Sequence, residues 1–292
     1  MKYKVPTKAI ITDAGFASRY LPITKTVPKA MLPIGNRPVM QLVVEECLAA
    51  GITHIIVVAT PEGKPIYEDY FNNAVNRIRK QLSSQGKSER YSVVQQVLDF
   101  PKITVIEQDP SLPYGNGSPI VSARDYISDD EAFIAIYSDD LVFGASDAKA
   151  LVESFKKRPD AHGIIMAQDI PRSEVTKYGI IKLKNSNQLD IIVEKPSEDD
   201  APSTLASYGR YLLTPEVFEY LNPTNTGLDN ELWTVDAITK IAERYPIYVE
   251  KTKGHWMTTG DPKNYFLAHL RYVLDNEDYA PDVIQYIKDY IK

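Results

Sequence analysis

Residues 14–44 contain no carboxylate and four cations, Arg19, Lys25, Lys29 and Arg37. This stretch carries +4 in a chain whose formal charge is −6, so the remainder carries −10. A local excess of cations is expected beside an anionic ligand. The stretch follows directly on Thr12-Asp13 and opens with Ala14-Gly15-Phe16-Ala17-Ser18-Arg19, then reaches Pro22, Lys25 and Pro28-Lys29-Ala30-Met31-Leu32-Pro33. Small residues after a strand let backbone N–H groups approach phosphate oxygens, so phosphate binding is the chemistry these residues fit. One glycine without a GxGxxG or GxxxxGK[ST] pattern is a weak signal, and on composition alone a turn with solvated cations fits as well. His54, His162, His255 and His269 are scattered without ligand spacing, so no histidine metal site is expected.

A loop of this kind needs a sheet behind it. Lys8 to Thr12 is a short β-branched run that reads as a buried strand feeding the loop. Pro38 opens an amphipathic stretch, Val39 to Ala50, which Gly51 stops, and Ile55 to Ala59 is a second apolar run. Strand, loop, helix and strand make a βαβ unit. The patterning predicts a long polar helix from about Lys64 to Gln85, a strand at Ile103 to Glu107, a short helix near Pro119 to Tyr126 and a strand at Ala132 to Tyr137. Further strands are expected at Gly163 to Ala167, Gly179 to Leu183, Leu189 to Val193 and Ser207 to Leu213. Helices are expected at Pro215 to Leu221, Asn230 to Arg244, Pro262 to Leu274 and Pro281 to Lys292. The expected fold class is α/β, a Rossmann-like mixed, mostly parallel sheet with helices on both faces. Pro196 to Ser203 reads as a surface loop rather than a boundary, so 1–292 is expected to be a single domain.

Composition narrows the function from the other side. A chain of 292 residues with 43% hydrophobic residues can bury a sizeable core without staples. A single cysteine, Cys47, excludes a disulfide framework and a thiolate zinc site, and it reads as a small core residue. No apolar run reaches the ~18 residues of a membrane span, and Met1 to Pro6 shows no signal-peptide core. A cytoplasmic protein without membrane or nucleic-acid partners is expected, since a net acidic chain lacks the broad basic surface nucleic acid needs. The 19 tyrosines are expected to pack rather than bind.

The order AGFASRYLPITKTVPKAMLPI, followed by an amphipathic helix ending AAGI, closely resembles the signature of the sugar-nucleotide pyrophosphorylases, among them the bacterial UTP:glucose-1-phosphate uridylyltransferases. The likeness continues in order through Gly115-Asn116-Gly117, Ser138-Asp139-Asp140, Lys177-Tyr178-Gly179-Ile180, Val193-Glu194-Lys195-Pro196, Gly209-Arg210-Tyr211, Asn230-Glu231, Asp236-Ala237-Ile238 and Thr259-Gly260-Asp261. It implies the nucleotide-diphospho-sugar transferase fold and a nucleotidyl transfer in which glucose 1-phosphate attacks the α-phosphorus of UTP. The products would be UDP-glucose and pyrophosphate. The attacking phosphate is already ionised near neutral pH, so catalysis reduces to positioning two anions and neutralising charge. By similarity, Arg19, Lys29 and Asp139 would be catalytic, with Asp139 holding Mg²⁺. Ala14, Gly15, Gln108, Gly115 and Gly117 would bind the nucleotide. Gly179, Glu194, Lys195 and Gly209 would bind the sugar phosphate, although Glu194-Lys195 alone could be a plain exposed ion pair. A homo-oligomer, dimer or tetramer, is expected.

The chain departs from the family where phosphate and metal should lie. The family's loop usually reads Gly-Leu-Gly-Thr-Arg, and Ala17 adds a Cβ that is costly if the backbone there needs φ > 0. Ala30 stands where the family prefers Glu. The family's second metal carboxylate matches Thr258, a weaker Mg²⁺ ligand, while Asp13 stands where a small neutral residue is usual. Either Asp13 or Asp261 substitutes, or metal binding and turnover are weakened. The alternative function is therefore a catalytically impaired homologue that binds nucleotide or sugar nucleotide in a regulatory or scaffold role.

Overall fold

The run Lys8-Ala-Ile-Ile-Thr-Asp13 shows no polar alternation, as suits a strand covered on both faces, and it forms β1 (Lys8–Asp13) in the middle of the sheet. The computed structural model describes residues 2–224 and 226–291; Met1 and Lys292, the ends of the expected domain and last helix, lie outside them. After β1 come β2 (Pro33–Ile34), β3 (Arg37–Pro38), α1 (Val39–Ala49), β4 (His54–Ala59), α2 (Lys64–Asn72), α3 (Asn76–Ser84), α4 (Ser92–Leu98) and β5 (Lys102–Glu107). The chain continues through α5 (Ser118–Ser122), β6 (Phe133–Tyr137), β7 (Asp140–Phe143), α6 (Asp147–Lys157), β8 (Gly163–Asp169), β9 (Gly179–Leu183), β10 (Leu189–Glu194) and β11 (Leu205–Leu213). It ends with α7 (Val217–Tyr220), α8 (Thr234–Ala242), β12 (Ile247–Lys251), β13 (His255–Thr258), α9 (Pro262–Leu274) and α10 (Ala280–Ile291).

The central sheet is mixed, with strand order β10-β9-β11-β6-β1-β4-β5 and with β8 and β12 joined on from β11. β1 pairs in parallel with both β4 and β6, while β11 runs antiparallel to β6. The chain leaves β1 toward β4 and β5, then returns to its other side for β6. That reversal opens a crevice beyond the carboxyl ends of β1 and β6. Alternating side chains feed two cores: Ile11, Val57 and Ile134 pack with α1, α2 and α6, and Ile10, Ile56 and Phe133 pack with α5 and α8. The expected α/β class with helices on both faces is what forms.

Several boundaries differ from the sequence-based expectation. The polar stretch 64–85 breaks into α2 and α3, because Asn73 is extended (φ −113°, ψ 123°). The helix expected from Asn230 starts at Thr234, since Asp229 and Asn230 adopt left-handed conformations (φ 58° and 59°). The helix expected at Pro119 to Tyr126 is α5 followed by a separate 3₁₀ turn, Arg124–Tyr126. The reading also passed over α4, α6, β7, β12 and β13; α6 carries a sequence signal, Ser146, whose side chain caps the Lys149 N–H.

One buried charge ties these layers together. The Arg210 side chain on β11 has no exposed surface. Its guanidinium donates to Glu46 of α1 at 3.0 Å, to the carbonyl of Tyr137 at 3.3 Å, and to the carbonyl of Asp140. Asp140 accepts in turn from the Gly209 N–H at 3.0 Å and the Trp256 indole at 2.7 Å. Burial, and after it the negative charge of Asp139, pushes the Asp140 carboxyl up to about 6. Arg210→Met strands the Glu46 carboxylate and is expected to lower unfolding free energy by about 3–5 kcal/mol. Chemical denaturation checks this; a loss below about 1 kcal/mol would contradict it. For Asp140, a folded value above the ordinary carboxylate range means the folded state binds the proton more tightly. Its contribution to stability is then full below about pH 4 and is lost as pH rises through about 6. Moving from pH 5 to pH 7 should therefore destabilise the wild type more than Asp140→Asn in parallel denaturation curves.

Candidate active site

β1 ends at Asp13 and β6 ends at Tyr137, and a cavity of about 310 Å³ opens beyond both. Its walls come from the loop after β1 (Ala14, Gly15), from the segment after β5 (Gln108), and from the Gly115 loop. A second cavity of about 270 Å³ shares Asp13, Gly15 and Lys29 with the first and reaches to Lys25, Thr24 and Thr60. Lys29 therefore stands between two spaces, one largely aromatic and amide-lined, the other lined by hydroxyls, by Lys25 and Lys29, and by the carboxylates Asp13 and Glu62.

The short 3₁₀ turn Lys29–Met31 aims Lys29 at the end of β6, where its ammonium meets Asp139 Oδ2 at 2.5 Å. Burial pulls the Lys29 pKa down, but Asp139 and then Asp13 outweigh it, and the net shift is upward. Burial likewise pushes the Asp139 carboxyl up, and Lys29 overcomes it, so Asp139 is held below the ordinary range. Both groups are thus charged near neutral pH. Asp13 is enclosed differently: its oxygens accept from the Tyr67 hydroxyl and from Ser138 Oγ at 2.7 Å. Burial raises the Asp13 carboxyl, against the pull of Lys29.

The predicted residues fall into three groups. Ala14, Gly15, Gln108, Gly115, Lys29 and Asp139 line the first cavity together. Gly117 lies just behind it, where its N–H donates to the Leu232 carbonyl at 2.8 Å and a Cβ would come within 2.9 Å of that oxygen. Gly179 and Glu194 face each other across β9 and β10, and Gly209 lets the Tyr137 ring approach, since a Cβ there would lie 2.4 Å from it. Lys195, at φ 45°, places its ammonium 4.5 Å from the Trp233 ring centroid and 3.8 Å from Glu194. Gly209 adjoins the cavity through Tyr137 and Lys195 through Trp233, which both line it. Arg19 stands apart: it is exposed on the turn Ser18–Tyr20 and lines neither cavity. Asn116 of the expected Gly115 to Gly117 loop lines the first cavity, as do Phe16, Tyr114, Glu231 and Trp233, which the sequence does not mark for it. Tyr114 and Asn116 flank a predicted glycine, which was the available signal.

The departures have structural readings. Ala17 does adopt the left-handed conformation (φ 47°, ψ 39°), so its Cβ sits where glycine is at ease. Asp261 is consumed as the N-cap of α9, accepting from the Asn264 N–H at 3.0 Å. Thr258 lies beside Asp139: a Cβ on Gly260 would be 3.2 Å from Thr258 Oγ1 and 3.3 Å from Asp139 Oδ2, so hydroxyl and carboxylate face one small space. Among the described residues, no three His, Cys, Asp or Glu side chains gather as a metal site.

Known proteins are similar to this chain over nearly its whole length. A uridylyltransferase from Staphylococcus epidermidis, "UTP--glucose-1-phosphate uridylyltransferase", is 34% identical over 286 residues, 96% of this chain and 97% of the relative. The protein of that name from Staphylococcus haemolyticus is 35% identical over 97% of each chain. A crystal structure of UDP-glucose pyrophosphorylase complexed with UDP-glucose superposes with TM-score 0.81 at 30% identity, covering 93% of this chain and 100% of that one. The UDP-glucose pyrophosphorylase of Acinetobacter baumannii gives TM-score 0.86 at 26% identity, covering 98% and 99%. Residues 8–273 match the model of the nucleotidyl transferase family, and the chain belongs to that family.

Proposed function

We propose that this chain joins UTP and glucose 1-phosphate to give UDP-glucose and pyrophosphate. The observation that carries the reading is the Lys29–Asp139 pair, set between the two cavities at the strand reversal. The relatives' names and their coverage of the chain support the same substrates. Gln108 offers an amide, and the loops bearing Ala14-Gly15 and Gly115 offer main-chain groups, to match the imide edge of uracil in the first cavity. The second cavity, where Lys25 and Lys29 stand with the hydroxyls of Thr24, Thr26 and Thr60 and with Asp13 and Glu62, receives the departing phosphates on its lysine side. Glu194, raised by burial against the pull of Lys195, accepts from sugar hydroxyls, and Lys195 faces the sugar phosphate. Arg19, exposed on the rim of the loop, would have to swing toward the second cavity to reach the β- and γ-phosphates.

Lys29 is the group aimed at the charge that develops during transfer. Asp139 fixes the lysine's position and, with the Thr258 hydroxyl, supplies hard oxygen donors for a divalent cation. Mg²⁺ suits this set, because it is commonly held by one or two carboxylates together with phosphates and water. Bound there, it would neutralise phosphate charge and orient the α-phosphate for in-line attack. The single-domain organisation across 1–292 and a cytoplasmic location belong to the same proposal; among the described residues no helix is long and apolar enough to cross a membrane. Exposed Phe266, Tyr286, Tyr290 and Ile291 on α9 and α10 support the expected homo-oligomer.

Pyrophosphate release from UTP, glucose 1-phosphate and Mg²⁺, with UDP-glucose identified by chromatography, tests the reading; absence of turnover in the wild type overturns it. Lys29→Ala should lower kcat at least a hundredfold, about 2.7 kcal/mol of barrier, while the thermal unfolding curve stays cooperative. A fall under tenfold removes Lys29 from its role. Thr258→Asp should lower the Mg²⁺ concentration needed for half-maximal rate, because a second carboxylate completes the oxygen shell. An unchanged Mg²⁺ titration would show that Asp139 and the phosphates suffice.

A further inference from the structure

Phe16 and Tyr114 are 79% and 59% exposed, in a protein whose buried clusters hold most of its aromatic rings. They come from loops far apart in sequence, yet their rings lie near-parallel (10°) with centroids 6.2 Å apart, and both line the first cavity. Neither ring is placed there by core packing. Backbone sets Tyr114: its carbonyl accepts from the Leu232 N–H at 2.8 Å, and Gly115 next to it (φ 133°) has no room for a Cβ against Leu232. Phe16 is carried on the β1 loop between Gly15, which has open space around it, and left-handed Ala17. Two exposed apolar rings stacked by the backbone of two loops that line one cavity leave apolar surface in water until something flat and apolar-faced covers it.

We propose that Phe16 and Tyr114 form an aromatic clamp that closes on the base of the nucleoside triphosphate. This rests on the reading that the first cavity takes a nucleotide. A base between two parallel rings needs their planes about 7 Å apart, twice the ~3.5 Å contact distance, so the two loops part to admit it. The clamp supplies affinity and orientation rather than base identity, because every base has a π-face and stacking is tolerant of sequence. Identity falls to groups that meet the base edge, Gln108 among them.

The test is titration calorimetry of UTP and CTP with Mg²⁺ in the absence of sugar phosphate, on the wild type, Phe16→Ala, Phe16→Leu, Tyr114→Ala and Gln108→Ala. Both alanine variants should bind UTP about tenfold more weakly and lose CTP by the same factor, leaving the UTP:CTP ratio unchanged. Phe16→Leu keeps apolar cover without a ring face and should still lose several-fold. Gln108→Ala should change the ratio. Tyr114→Trp provides a direct signal, since its indole fluorescence should change on adding UTP. If the wild type binds UTP and both alanine variants bind within twofold of it, the clamp is wrong and the nucleotide reading stands. If the wild type binds neither nucleotide, both fall.

Discussion

A single guanidinium with no access to water sets the geometry on which everything else rests. Arg210 sits on the long strand β11 and reaches α1 through Glu46, the end of β6 through the Tyr137 carbonyl and the start of β7 through the Asp140 carbonyl. Helix, sheet and site loop are therefore referenced to one atom group. Taking such a charge out of water is expensive, and only a full set of acceptors makes it tolerable. The carbonyls it engages belong to Tyr137 and Asp140, on either side of the Asp139 carboxylate that meets Lys29. The site's central ion pair thus inherits its position from a contact buried behind it.

The charges in front of that anchor are arranged by burial as much as by proximity. Lys29 and Asp139 stay ionised because each offsets the other's loss of water. Asp13 is held by hydroxyls from Tyr67 and Ser138 instead, so its oxygens are already engaged and it serves the electrostatics of Lys29. Asp261 is occupied by α9. The alternatives left open by sequence, in which one of these carboxylates takes over from the missing one, meet side chains that already have partners. What stands beside Asp139 is a threonine hydroxyl, which accepts from the Gly260 N–H at 3.1 Å and donates to the Asp139 carbonyl at 3.4 Å.

Much of the frame was legible from patterning because it depends on local runs. The apolar runs of β1, β4 and β6 and the Pro38 and Gly51 boundaries of α1 announce themselves over a few residues. Short elements such as β13 gave no period to read, and the break between α2 and α3 depends on one extended residue. The site was legible only where motif wording carried it: Lys29 and Asp139 are 110 positions apart, and no spacing rule joins them. The Asp13–Tyr67 contact had no local signal at all. Tyr114 was hidden by a sound generalisation, that tyrosines mostly pack, applied to a residue whose backbone holds it outward.

The left-handed alanine in the loop after β1 has a consequence beyond its cost. A glycine at position 17 would let the unliganded loop wander through conformations on both sides of φ = 0, and a ligand would have to gather them. Ala17 has far fewer places to go, and its carbonyl is tied down by the Tyr20 N–H and the Thr24 hydroxyl, both at 3.0 Å. Position 17 is thus restricted before any ligand arrives. The ordering that a glycine would undergo there at each binding event is instead completed once, when the chain folds, and the parting of Phe16 from Tyr114 is the movement left to binding.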